Sequence, residues 1–326
     1  MDIATHELRA ETGVLDAAFR DDVLACFRAG KRAIPARWLY DQAGSQLFED
    51  ITNLPEYYPT RTETALLEKH CGAVAEIVGT GRTVVEFGSG SSVKTPHLLR
   101  AIAPSAYVPI DISGDFLRQS SEALAEQFPA LPIAPVEADF MHKVPLPALV
   151  DNFPKLGFFP GSTIGNMVAS TSVDLLRSMR ESLGTGAMLF IGMDRVKSEE
   201  ILVPAYDDAA GVTAEFNLNL LRRINRELDG DIPVEKFKHV AIWNDRYARI
   251  EMHLEAQASM SFAVAGEDFS VAKGERIHTE NSHKYGIRDA RLLLRSGGWS
   301  PVREWSDDAG LYSLILAEAR PLKTAP

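Results

Sequence analysis

Short apolar runs alternate with amphipathic stretches through the middle of the chain. Thr83-Val84-Val85-Glu86-Phe87 has the β-branched content of a buried strand, and it leads straight into Gly88-Ser89-Gly90-Ser91-Ser92. A helical pattern follows over 94–102. A second strand is expected over 107–111, then a helix over 113–127, where Phe116, Leu117, Leu124 and Phe128 fall at helical spacing. Further strands are expected over 133–136, 156–160 and 187–192, with a helix over 173–183 before the last. Strands alternating with helices predict a parallel sheet with right-handed crossovers, and ligands at the carboxyl ends of its strands.

Beyond residue 197 the rhythm changes. A long helix is expected over 209–228, strand-like runs over 240–243 and 249–254, and a further alternating segment up to His278. The sheet pattern resumes with a helix over 287–296 and apolar runs over 301–305 and 311–317. A helix followed by a hairpin-like pair is how S-adenosylmethionine methyltransferases close a seven-stranded sheet. The expected fold is therefore α/β, a Rossmann-like class I methyltransferase sheet with a second domain. Residues 61–196 and 286–326 form the sheet domain. Residues 1–60, mostly helical, and the insertion 197–285 form the other, packed over the mouth of the sheet.

Composition narrows the partners. The 326 residues carry 34 Lys and Arg against 45 Asp and Glu, a formal net charge of −11. A nucleic-acid binder needs a basic face to displace counterions, and anionic lipid needs the same, so neither is an expected partner. Cys26 and Cys71 form no CxxC pair, which excludes a zinc ribbon or disulfide scaffold. The polar, acidic start of the chain is no secretory signal, and the longest apolar stretch, 187–193, is far below the ~20 residues of a membrane span. A cytoplasmic monomer is expected. The eight histidines show no HxxxH or HExxH spacing, so no metal site is expected.

The glycine loop is the first chemical signal. Gly88 and Gly90 sit between a strand and a helix, where backbone can approach a ligand closely. Val93 stands where a dinucleotide fingerprint needs its third glycine, so a pyrophosphate cradle is disfavoured. Asp111 ends the second expected strand, placed to accept from ribose hydroxyls. Asp139 ends the third beside Phe140, placed to accept from the adenine amine while the ring packs on the phenyl. Acids at successive strand ends after the GxG loop favour S-adenosylmethionine over a nicotinamide dinucleotide. Lys94, at the helix start, would reach the methionine carboxylate.

Several separated segments are more specific. They are Trp38-Leu39-Tyr40-Asp41 with Gly44-Ser45, Leu54-Pro55-Glu56-Tyr57-Tyr58-Pro59-Thr60-Arg61, and Gly161-Ser162-Thr163-Ile164-Gly165-Asn166. Ala205-Tyr206-Asp207-Asp208, Ile250-Glu251-Met252 and Thr279-Glu280-Asn281-Ser282 complete the set. With them the chain resembles the histidine-specific Nα-methyltransferases that make hercynine in ergothioneine biosynthesis. The resemblance implies that Tyr57, Asn166 and Tyr206 hold the carboxylate and α-amine of L-histidine. It implies that Glu280 and Ser282 bind the imidazole, that Met252 packs beside that ring, and that Tyr40 lies near the amine. Among these, Tyr40, Tyr57 and Asn166 are expected nearest the reacting amine. Gly88, Lys94, Asp111, Asp139 and Phe140 match its cofactor positions. S-adenosylhomocysteine would be the coproduct, with no metal involved.

The chemistry suits these residue types. Methyl transfer from a sulfonium is an in-line displacement, so the enzyme chiefly supplies geometry, worth up to ~7–11 kcal/mol. The acceptor must be a neutral amine. Phenol and amide groups can donate to its carboxylate without a fixed positive charge that would repel the sulfonium. A glutamate accepting an imidazole N–H rejects acceptors that lack one. Two alternatives stand beside this reading: a relative acting on another aromatic amine such as a tryptophan derivative, and a non-catalytic methyltransferase-fold binding protein. A hydrolase elbow is disfavoured, because Thr163 stands at the nucleophile position of the Gly161–Gly165 segment.

Overall fold

The structure, a computed structural model, describes residues 16–30 and 32–320. Its main sheet has seven strands: β1 (Thr83–Phe87), β2 (Ala106–Asp111), β3 (Val136–Glu137), β4 (Lys155–Phe159), β5 (Met188–Asp194), β11 (Trp299–Ser306) and β12 (Tyr312–Ala319). They lie in the order β11-β12-β5-β4-β1-β2-β3. Strands β1 to β5 pair in parallel, and β12 runs antiparallel between β5 and β11. This is the expected α/β sheet, closed by the expected hairpin.

Alternation along each strand sends side chains to two faces. Val84, Phe158 and Phe190 pack with helices α3 (Tyr58–Val78) and α4 (Thr95–Ile102). Val85, Phe159 and Ile191 pack with α6 (Ala169–Leu183) and α9 (Ile287–Ser296). The remaining crossover helix, α5 (Gly114–Gln127), adds Leu124 to the first of these layers. The edge strand β3 is shorter than expected and displaced, leaving only a bridge at Ile133. Pro132 and Pro135 have no N–H to give, so a regular ladder across 133–136 does not form.

A third apolar cluster is built from two distant parts of the chain. It joins α1 (Ala17–Arg28), a 3-10 turn at Ala36–Leu39 and α2 (Gln42–Thr52) to α7 (Glu199–Leu202), α8 (Val212–Glu227) and five strands of the insertion. Of these, β6 (Phe237–Asn244), β7 (Arg249–Ala256) and β10 (Arg276–His283) form an antiparallel sheet, and β8 (Met260–Val264) pairs with β9 (Glu267–Val271). Asp41 ties the two parts together. Its carboxylate caps α2 at Gly44 N–H, accepts from Asn219 at 2.7 Å and pairs with Arg226 at 2.6 Å. Helix α8 starts later than the pattern suggested. Gly211 is left-handed, and the Asp208 carboxylate takes the N–H groups of Val212 and Thr213. Helix α3 begins in this cluster with Tyr58 and continues beneath the main sheet.

Candidate active site

The carboxyl ends of β1 and β2 carry the glycine loop. Gly88 and Gly90 have φ of 68° and 50°, a region that favours glycine. Asp111 holds the loop from below: it accepts from Gly90 N–H and Ser113 N–H, each at 3.0 Å. A Cβ on Gly88 would stand 3.5 Å from the Phe140 ring, so the loop and this phenyl form adjoining walls. Asp139 is exposed two residues beyond β3, where it accepts from Met141 N–H. Under the loop, the Glu86 carboxylate accepts from Thr95 and Tyr107 hydroxyls. Burial pushes its carboxyl up to about 7 despite these bonds. Lys94 pairs at 2.5 Å with the fully buried Glu63, which also accepts from Tyr312 Oη and Gly161 N–H. Glu63 thus connects the glycine loop to the loop after β4. Open backbone, a strand-end acid and an adjoining phenyl suit an adenosine-bearing cofactor.

The residues expected around the acceptor also converge. Tyr57 and Tyr206 meet edge-on at 6.1 Å, and Phe48 lies 6.2 Å from Tyr57. Tyr40 packs on Phe48 and Phe216 at 5.6 and 5.4 Å. Asn166 lies near enough to Tyr40 to influence its hydroxyl, and the charge of Glu280 acts on Tyr40, Tyr57 and Tyr206 alike. Burial holds all three phenols well above their ordinary range, so they are neutral hydroxyl donors and not phenolate bases.

Asn166 ends a 3-10 turn, Thr163–Asn166, that is clamped onto β10. Gly165 makes the approach possible, since a Cβ there would fall 2.8 Å from the His283 carbonyl oxygen. Its own carbonyl accepts from His283 Nδ1 at 2.8 Å. Asn166 does not cap α6, whose cap position is Val168.

A β-bulge aims the acid. In the β7–β10 ladder His278 opposes His253, yet Glu280 opposes Met252, so one extra residue, Thr279, is accommodated. Without it, Glu280 would share the face of His278. With it, Glu280 and Ser282 share the face of Met252 and Ile250. Glu280 is buried, and its Oε2 has no hydrogen-bond partner among the described residues. Burial raises its carboxyl to about 7, against the pull of Lys284. An unpartnered buried carboxylate oxygen is costly unless a ligand supplies the donor. Met252 is fully within the core and fills the space beside it.

Several residues of this region carry no signal in the sequence pattern. Lys284 is buried and donates to Tyr206 Oη, Ser282 Oγ and Asp194 Oδ2. Asp194, at the end of β5, also accepts from Lys197 and Tyr58. Burial opposes its charge, but the two lysines outweigh that and hold its carboxyl below the ordinary range. A fixed positive charge therefore does lie behind the expected carboxylate donors. Phe48 and Phe216 were also not legible, because their contacts with Tyr40 form only when α2, α8 and the Ala36–Leu39 turn pack together.

Glu251, His253 and His278 lie together on the opposite face, with ligand-type atoms within 4.8 Å of one another. Spacing along one segment did not reveal this group, because its members come from paired strands. The Glu251 carboxylate is already bonded to Arg249, Asn244 and His253.

Comparison with known proteins decides the family. A family model described as histidine-specific methyltransferase, SAM-dependent, matches residues 19–319. The chain belongs to this family. In this member of the family the sheet is the seven-stranded one expected from the strand pattern. A histidine N-alpha-methyltransferase of Mycolicibacterium smegmatis is 39% identical over 92% of this chain and 94% of its own length. One from Mycobacterium tuberculosis is 38% identical over 97% of this chain and 98% of its own. An L-tryptophan methyltransferase of Psilocybe serbica is 25% identical over 89% of each chain. No helix among the described residues of this family member is long and apolar enough to cross a membrane.

Proposed function

We propose that this chain transfers three methyl groups in turn from S-adenosylmethionine to the α-amine of L-histidine, forming hercynine for ergothioneine biosynthesis. The observation that carries this reading is the buried Glu280 carboxylate, unpartnered at Oε2 and turned by the bulge toward the tyrosine wall. A carboxylate in that setting calls for an N–H donor held in apolar surroundings, which an imidazole supplies.

Bound S-adenosylmethionine would supply an electrophilic methyl group on a positive sulfur. Gly88, Asp111, Asp139 and Phe140 would hold its adenosine, and Lys94 its carboxylate. The loops after β1 and β4 follow neighbouring strands, so methyl donor and acceptor amine would meet at the carboxyl ends of the sheet. Tyr57, Tyr206 and Asn166 would donate to the histidine carboxylate, with Ser282 assisting Glu280 at the ring. Tyr40 and Asn166 would orient the amine. As the amine gains methyl groups it loses N–H donors and, once quaternary, carries a fixed charge. Tyr40, Tyr57, Phe48 and Phe216 offer ring faces that tolerate this change, as aromatic cages do for quaternary ammonium. The two-part division of the chain follows the same logic: 1–60 with 197–285 for the acceptor, the rest for the cofactor. We take the chain to act as a monomer in the cytoplasm.

Calorimetry with S-adenosylhomocysteine present tests the placement. Glu280→Ala should weaken histidine binding by about tenfold or more, with cofactor-product affinity unchanged. Loss of both affinities together would remove Glu280 from the acceptor pocket. Stronger binding of tryptophan than histidine by the unaltered chain would favour the indole alternative.

A further inference from the structure

Lys284 stands two residues beyond Ser282, and its side chain is wholly removed from solvent. An ammonium has three donors and no acceptor. All three are committed: to Asp194 Oδ2 at 2.7 Å, Tyr206 Oη at 2.8 Å and Ser282 Oγ at 2.7 Å. Both hydroxyl oxygens are therefore acceptors from Lys284, and their own protons must point elsewhere. The two hydroxyls lie 2.7 Å apart, so one donates to the other here. When a ligand with acceptor atoms arrives, both protons can turn to it without leaving either oxygen unsatisfied.

The ammonium is itself anchored. Asp194 accepts from Lys197 at 2.5 Å and from Tyr58 Oη at 2.7 Å, while its backbone N–H donates to Ser162 Oγ at 2.9 Å. Lys197 and Lys284 outnumber Asp194 by one positive charge, although burial holds both ammonium groups below their ordinary range and an ionised Glu280 offsets the difference. The Lys284 ammonium lies one hydrogen bond behind Tyr206, close enough to attract an anionic group and separated from the reacting amine by the phenol.

We infer that Lys284 is a positioning residue: it fixes Tyr206 and Ser282 as donors toward the acceptor and supplies the remote positive charge that selects a carboxylate-bearing one. This rests on the histidine reading above and extends it to a group that would not touch the substrate.

The test is a double-variant cycle on the full chain, read as KM for histidine and for S-adenosylmethionine. Lys284→Met should raise the histidine KM by about tenfold or more, with the S-adenosylmethionine KM within about twofold of the unaltered chain. Tyr206→Phe should raise it too. Because Lys284 acts through Tyr206, the double variant should be within about twofold of the worse single variant. Lys284→Gln, which keeps N–H donors without the charge, should recover part of the loss. If Lys284→Met does not fold, the same cycle is run with Lys284→Gln. Losses that multiply in the cycle, or an equal rise in the S-adenosylmethionine KM, would overturn the inference while leaving the histidine reading intact. Failure of the unaltered chain to use histidine would overturn the reading, and the inference with it.

Discussion

Glu280 shows how a single residue couples stability to chemistry. Burial lifts its carboxyl from 4.5 to about 7, so the folded chain favours the protonated form. Its stabilising contribution is present below about 4.5 and is lost as pH rises through about 7. The proposed function needs the opposite form, because only the carboxylate accepts an imidazole N–H without competition from its own proton. The value of kcat/KM for histidine should therefore rise with pH through about 7. Glu280→Gln should lose that limb and keep any rise from the acceptor amine at higher pH. The same variant should melt a few degrees higher than the unaltered chain at pH 8 without ligand, because it no longer buries a charge. An unchanged lower limb in Glu280→Gln would assign that titration to another group. At this scale much was legible. Gly88 and Asp111 lie in short segments whose spacing carries meaning, whereas the Glu280–Ser282 pair is implied only by the family resemblance. Lys284 was not legible, because its partners Asp194 and Tyr206 are 90 and 78 residues away along the chain.

At the scale of elements, the sheet was readable and the insertion much less so. A βα rhythm is local, and each crossover follows from the last, so the parallel sheet emerged from periodicity alone. The bulge at Thr279 is different. Residues 276–283 carry one strongly apolar side chain, Ile277, so their sequence marks no change of phase, and only the pairing with β7 shows it. The register decides which face each side chain occupies, so the aim of Glu280 could follow from a family resemblance, whereas the alternation by itself points it the other way. The 3-10 turn ending at Asn166 depends on β10 in the same way. Gly165→Ala would force a Cβ against the His283 backbone, at 2.8 Å from its oxygen and 3.2 Å from its nitrogen. Neither atom can yield as a side chain would. Turnover of histidine should fall by about tenfold or more as Asn166 is displaced, since positioning errors near 1 Å carry costs of that order. Binding of S-adenosylhomocysteine, measured by calorimetry, should be unaffected. Full activity in this variant would mean that the turn and β10 need not touch.

At the scale of the molecule, the excess of acids proves a poor guide to the ligand. Those proposed to face ligands, Asp111, Asp139 and Glu280, are few, and behind the proposed acceptor pocket Lys197 and Lys284 both pair with Asp194. The length has a clearer meaning. A seven-stranded sheet stands beside a separate apolar cluster assembled from the start of the chain and the long insertion, and on the proposed reading each would wall one side of the reaction. Helix α3 passes from one to the other, and Glu63 on it links Lys94 to Gly161. The most direct measurement is mass spectrometry of the purified chain incubated with L-histidine and S-adenosylmethionine. The account predicts a histidine product heavier by three methyl groups, all on the α-nitrogen. No methylated histidine, or methylation of tryptophan in its place, would contradict it.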